Sequence, residues 1–149
     1  MAGENDRALL QLRRTLELEP RFVPAHLYLG EVYLRKEMYS EAIAAYRESA
    51  SLGDFSYSAP LGYAYGRAGK PAEARMIIEE LRGRPNMSPT SIAIVYAGLG
   101  DKDHALALLE RALKEHDDSL IYIRSQALFD PLRAEPRFKA LLRKMAFPP

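Results

Sequence analysis

The sequence has no cysteine among its 149 residues. Disulfides, thiolate metal sites and cysteine nucleophiles are therefore excluded, and a reducing, cytoplasmic setting suits such a chain. An excess of charge is missing as well: 21 basic residues stand against 20 acidic ones, a formal net charge of +1. Nucleic acid is not expected as the main ligand, because binding it needs a basic footprint. No apolar run approaches the roughly 20 residues of a spanning helix, so membrane insertion is not expected. The opening Met1-Ala2-Gly3-Glu4-Asn5-Asp6 carries two acids and no apolar stretch, unlike a secretory leader.

Reaction chemistry is equally sparse. His26, His104 and His116 are far apart and show no His-x-x-x-His spacing, so no metal is expected. Glu79-Glu80 and Asp117-Asp118 are adjacent pairs, and adjacent helical residues do not face each other. Gly66-Arg67-Ala68-Gly69-Lys70-Pro71 superficially suggests a phosphate loop but lacks the full spacing and the hydroxyl after lysine. No Gly-x-Ser-x-Gly motif occurs. Neither a cofactor nor enzymatic activity is expected. Arg124, Arg133, Arg137, Lys139, Arg143 and Lys144 read as the wet side of an amphipathic cap rather than a nucleic-acid patch.

What the chain does have is apolar material, 48% of its residues, and a period. Ala8, Ala42, Ala74 and Ala105 are spaced by 34, 32 and 31 residues. Each is followed four residues on by a large apolar side chain: Leu12, Tyr46, Ile78 and Leu109. Tyr33, Tyr65 and Tyr96 repeat in the same register, each preceded by a small residue, Gly30, Gly62 or Ala93, and before that by Leu29, Leu61 or Ile92. Between tyrosine and alanine a glycine recurs at Gly69 and Gly100, where the first unit has Glu37. The spacing predicts helices over about 6–19, 22–35, 39–52, 55–68, 71–83, 88–99 and 102–115. Small residues let paired helices approach, so Gly30 should meet Ala42, Gly62 should meet Ala74, and Ala93 should meet Ala105. Asp54, Asn86 and Asp117 stand at the unit boundaries as candidate N-caps.

This Leu-Gly-x-x-Tyr, turn, Ala-x-x-x-large pattern resembles the tetratricopeptide repeat over roughly residues 6–118. The resemblance implies an all-α fold, a right-handed superhelix of helical hairpins with a C-terminal capping helix. Residues 1–20 would be the second helix of a truncated unit, 21–54, 55–86 and 87–118 three full units, and 119–149 the cap. In the cap, Pro136 should open a helix with Phe138, Leu141, Leu142 and Met145 on one face. The segment from Phe129 to Phe138 resembles the closing part of repeat domains at the ends of bacterial multidomain regulators, which implies a sensory or docking role beside a kinase, cyclase or DNA-binding domain.

The same resemblance implies a scaffold that binds a protein or peptide on its concave side, lined by the first helix of each unit. The candidate lining is Leu27, Glu31, Leu34 and Arg35, then Ala59, Tyr63, Gly66 and Arg67, then Thr90, Ile94, Ala97 and Gly98. Arg35 and Arg67, at equivalent positions, would grip a carboxylate or acidic segment unless acids such as Glu31 pair with them. Some family members hold chaperone tails with lysines and asparagines; Leu27, Glu31, Tyr63, Thr90 and Ile94 stand there instead, so no such binding is expected. An N-terminal half-unit would leave Leu9, Leu12, Leu16 and Leu10 partly bare, a route to a homodimer.

Gly30→Leu is expected to force the first hairpin apart and to lower stability by about 1–3 kcal/mol in thermal or denaturant melts; unchanged melting would mean the helix register is wrong.

Overall fold

The computed structural model describes residues 2–53 and 58–145. Its elements, in order, are α1 (Ala2–Leu18), α2 (Val23–Arg35), α3 (Tyr39–Leu52), α4 (Ser58–Arg67), α5 (Pro71–Arg82), α6 (Pro89–Leu99) and α7 (Lys102–Lys114). Two short 3-10 segments (Asp118–Tyr122 and Ala127–Leu132) and α8 (Pro136–Lys144) follow. No strand occurs among the described residues. Asp54, a candidate N-cap, lies outside them.

The turn inside each hairpin is built the same way. The carbonyls of Tyr33, Tyr65 and Tyr96 accept from the amides of Met38, Lys70 and Asp101 at 2.9, 2.9 and 3.0 Å. These are bonds from the sixth residue back to the first, as in a Schellman closure. The residue before each donor is left-handed: Glu37 at φ 56°, Gly69 at 72° and Gly100 at 76°. That conformation costs an L-residue roughly 1–2 kcal/mol and glycine little. Two units therefore use glycine, and the first carries Glu37 against its backbone preference.

Hairpins α2–α3, α4–α5 and α6–α7 stack in a helical-hairpin superhelix, with α1 against α2, α3 against α4, and α4 against α6. Ala42, Ala74, Ala93 and Ala105 are buried without residual exposure, and Tyr46, Ile78 and Leu109 fill the space beside them. A Cβ added at Gly30 would lie 2.4 Å from the Tyr46 ring. The atoms nearest Gly30 thus belong to Tyr46, one turn beyond Ala42 along α3. At Gly62 the tightest neighbours are Val95, at 2.7 Å from an added Cβ, and Ile77, at 3.0 Å. Its smallness therefore serves the next unit as much as its own hairpin, and Ala74 is not the nearest atom.

The closest backbone-to-backbone approach at the described glycines belongs to two that the sequence pattern placed on the open face. A Cβ at Gly66 would lie 2.5 Å from the Gly98 carbonyl carbon, and one at Gly98 would lie 2.5 Å from the Tyr63 oxygen. Gly66 and Gly98 are where the backbones of α4 and α6 touch. α6 itself carries no charged residue and is buried on nearly every side, among α4, α5, α7 and the two 3-10 segments. A helix apolar all round belongs in an interior.

At the N-terminal end, Leu9, Leu12 and Leu16 pack against the core and stay half-buried. Arg13 donates to the Tyr33 hydroxyl at 3.1 Å, and Lys36 pairs with Asp6 at 2.5 Å. Exposed apolar side chains here are Leu10, Leu18 and Phe22. At the other end, Arg137 grips Glu110 with two bonds of 3.0 and 2.9 Å, fastening α8 to α7. Phe129 and Phe138 are buried with ring centroids 6.4 Å apart.

Gly98→Ala should destabilise the protein by about 1–3 kcal/mol despite the better helix propensity of alanine, because the obstructing atoms are backbone. Gly83→Ala, whose added Cβ meets nothing nearer than 3.6 Å, should be near neutral. Parallel denaturant melts of the two variants check the contrast.

Candidate functional site: an inner cavity walled by the C-terminal segment

A cavity of about 480 Å³ lies on the inner side of α2 and α4. From α2 and the turn after it come Glu31, Leu34, Arg35 and Glu37, from α3 Tyr39 and Tyr46, and from α4 Tyr63 and Arg67. The far wall is the chain's own C-terminal segment, Ser125 to Leu128 with Asp130 and Pro131. This mixture of apolar, aromatic and charged lining, in a volume within the usual range for ligand sites, suits anchoring of a ligand.

The floor is the ring of Tyr46, which is fully buried against Gly30. Its hydroxyl has no hydrogen-bond partner. Burial pushes this phenol well above its ordinary pKa, and the nearby Glu31 charge adds to that. The Glu31 carboxyl is half-buried; burial raises its pKa, and Arg35 one turn along α2 offsets only part of the rise. Tyr63 is raised by burial too, with Arg67 opposing.

The two arginines are not equivalent in their surroundings. Arg67 donates to the Tyr39 hydroxyl at 3.4 Å and lies 5.9 Å from the centroid of that ring. This hydrogen bond is the main reason its pKa is raised. Arg35 is exposed and, among the described residues, has no acid within 4.0 Å. Asp130 is held by Arg133 at 2.5 Å.

Of the lining expected from sequence, Glu31, Leu34, Arg35, Tyr63 and Arg67 come together in this one cavity. Leu27 is half-buried against the core, outside it. Ala59, Thr90 and Ile94 are buried and present no open surface. Ala97 and Gly98 are buried within α6 as well. The reason is the tail: the segment Ala127–Leu132 packs on α6, so the third unit has no free inner face. Tyr39, Tyr46, Glu37 and Ser125–Pro131 escaped the sequence reading. Tyr46 reads there only as a core filler, and nothing in the tail's spacing says that it turns back toward α2.

Thr90 has a structural task. Its hydroxyl donates to Asp117 at 2.8 Å, the Ser119 amide donates to the same carboxylate at 2.9 Å, and the Ser88 hydroxyl donates as well. Ser88 in turn caps α6, accepting from the Thr90 amide at 3.1 Å. Asn86, expected as that cap, is instead a left-handed turn residue at φ 61°. Among the described residues no cluster of three or more His or acidic side chains could hold a metal, and no helix is long and apolar enough to cross a membrane.

Stacked helical hairpins with a small–small register and a left-handed turn define the class of helical repeat proteins. Residues 2–57 match the family model described as tetratricopeptide repeat. Residues 2–57 thus carry a tetratricopeptide repeat match that takes in α1 and the first hairpin, and the second and third hairpins repeat its turn geometry. Comparison with curated proteins and with solved structures gives no match.

Asp117 also sets a pH dependence. Burial alone would raise its carboxyl, but the bonds from Ser88, Ser119 and Thr90 outweigh that and hold it below the ordinary aspartate value. A depressed folded-state pKa adds stability above the unfolded value of roughly 3.9, lost as pH falls through the folded one. Asp117→Ala should cost about 1–3 kcal/mol at neutral pH. In melts across pH, the gap from the parent protein should narrow below about pH 4; a gap that stays constant down to pH 2 would contradict this.

Proposed function

We propose that this protein is a non-catalytic interaction module that takes a segment of another protein into the cavity between α2, α4 and the C-terminal wall. Tetratricopeptide repeats mediate contacts between proteins, which is the coarse reading the family supports. The single observation carrying the finer one is the cavity itself. It offers Leu34, Leu128 and Pro131 as apolar contacts, Tyr39 and Tyr63 as aromatic ones, and charged groups at Glu31, Arg35 and Arg67. Apolar and aromatic anchors with a polar rim are what a peptide site requires. Because the tail fills the inner side of α6, the groove is short. A bound segment would be a few residues long or would insert one side chain, rather than run the length of the superhelix.

A second reading, self-association through the N-terminal end, rests on Leu10 and Leu18, which are 52% and 84% exposed on α1. Sedimentation would show a concentration-dependent dimer that Leu10→Glu with Leu18→Glu abolishes; a monomer at high concentration removes this reading.

Selection of a random peptide library against the whole protein, followed by NMR mapping of the bound peptides, tests the main proposal. Shifts centred on Leu34, Tyr63 and Leu128 are expected. Binders that map to the outer surfaces of α3, α5 and α7 would refute it.

A further inference from the structure

The cavity lining holds two polar groups that make no hydrogen bond within the protein among the described residues. The Tyr46 hydroxyl is wholly buried and unbonded. The half-buried Glu31 carboxylate beside it accepts no hydrogen bond and forms no ion pair within 4.0 Å among the described residues. A polar group taken out of water without a partner is unfavourable, so this buried hydroxyl and half-buried carboxylate suit a ligand group that satisfies both. A phenol can accept or donate, whereas an ionised carboxylate only accepts. One ligand group that serves both is therefore a donor.

The lining contains Glu31, Glu37 and Asp130 against Arg35 and Arg67. Asp130 is occupied by Arg133, and Arg67 leans on Tyr39. Arg67, bonded to a neutral phenol, keeps its positive charge and interacts with Glu37, so the lining charges are near balance and the preference rests on the Glu31 carboxylate and the Tyr46 hydroxyl, which lack hydrogen bonds. Tyr46 and Tyr63 line the same cavity. Glu37 adds a telling detail: it keeps a left-handed backbone at φ 56° where the two later units place glycine, and its side chain lines the cavity.

Resting on the reading of this cavity as a peptide site, we infer that it selects a cationic side chain, a lysine or arginine of the partner, with the charged head between Glu31 and the Tyr46 hydroxyl and the aliphatic stem against Leu34, Tyr63 and Pro131. This inference differs from the sequence expectation of an acidic segment held by Arg35 and Arg67, and the two make opposite predictions for the same cavity.

The test is an NMR titration of the whole protein with acetyl-Gly-Lys-Gly-amide and with its norleucine and glutamate counterparts. The lysine peptide should shift Glu31, Tyr46 and Tyr63 resonances and bind at least about tenfold more tightly than the norleucine peptide. Glu31→Gln and Tyr46→Phe should each weaken it, while Arg35→Gln should not. Two variants separate binding from folding. Tyr46→Phe removes an unpaired hydroxyl, and Glu37→Gly relieves the left-handed turn. Both should melt at or above the parent temperature while losing affinity for the lysine peptide.

Equal binding of the norleucine peptide, no cavity shifts with any peptide at millimolar concentration, or no effect of Glu31→Gln would overturn the inference. A glutamate peptide that occupies the cavity and depends on Arg35 would overturn it and leave the groove reading standing. Shifts confined to the outer helices would remove both.

Discussion

The contact on which the rest depends is the crossing of α4 and α6 at Gly66 and Gly98. There the backbones themselves meet, with no room for even one methyl group on either side. Interiors are packed densely enough that such a crossing fixes neighbouring elements as well. With the second and third hairpins this close, Tyr63 is pressed against Gly98, Val95 fits over Gly62, and α6 becomes an interior helix. The returning tail completes that interior, burying Leu120, Ile123, Phe129 and Leu132. The open inner surface is accordingly restricted to α2 and α4, and the tail that caps the core also ends the groove.

One segment thus does two things. Solenoids need terminal caps because each hairpin exposes an apolar face. Here α8 covers α7, fastened by Arg137 to Glu110, while the preceding 3-10 segment covers α6 and shows its edge to the cavity. Arg133 braces that edge through Asp130 and the Arg124 and Gln126 carbonyls at 3.0 and 3.2 Å. Two of the tail's basic residues, Arg133 and Arg137, therefore hold it in place. That fits a wall better than a nucleic-acid surface.

Much of this fold was legible in the sequence because its signals are local. The Tyr33, Tyr65 and Tyr96 register and the glycines after it dictate a turn that needs only nearby backbone atoms, and the helices fall within a few residues of their expected bounds. The site was legible only in part. Gly98, Thr90 and Ile94 sit on the stripe that periodicity assigns to the concave face, yet they are buried, and Gly66 there is half-buried against Gly98, because burial depends on how close two helices from different units come and on where a distant tail returns. The lone hydroxyl of Tyr46 was hidden for a related reason. Its repeat position says only that the side chain is large, and whether its polar tip finds a partner is decided by residues from three separate segments.

The most direct measurement is a nuclear Overhauser spectrum of the protein in solution. The account predicts cross-peaks between the Gly98 α-protons and the Tyr63 α-proton, and between protons of Ala127–Leu132 and those of α6. A folded, helical protein that shows neither set would contradict it, since α6 would then have an open inner face and the groove would not end where the tail is said to close it.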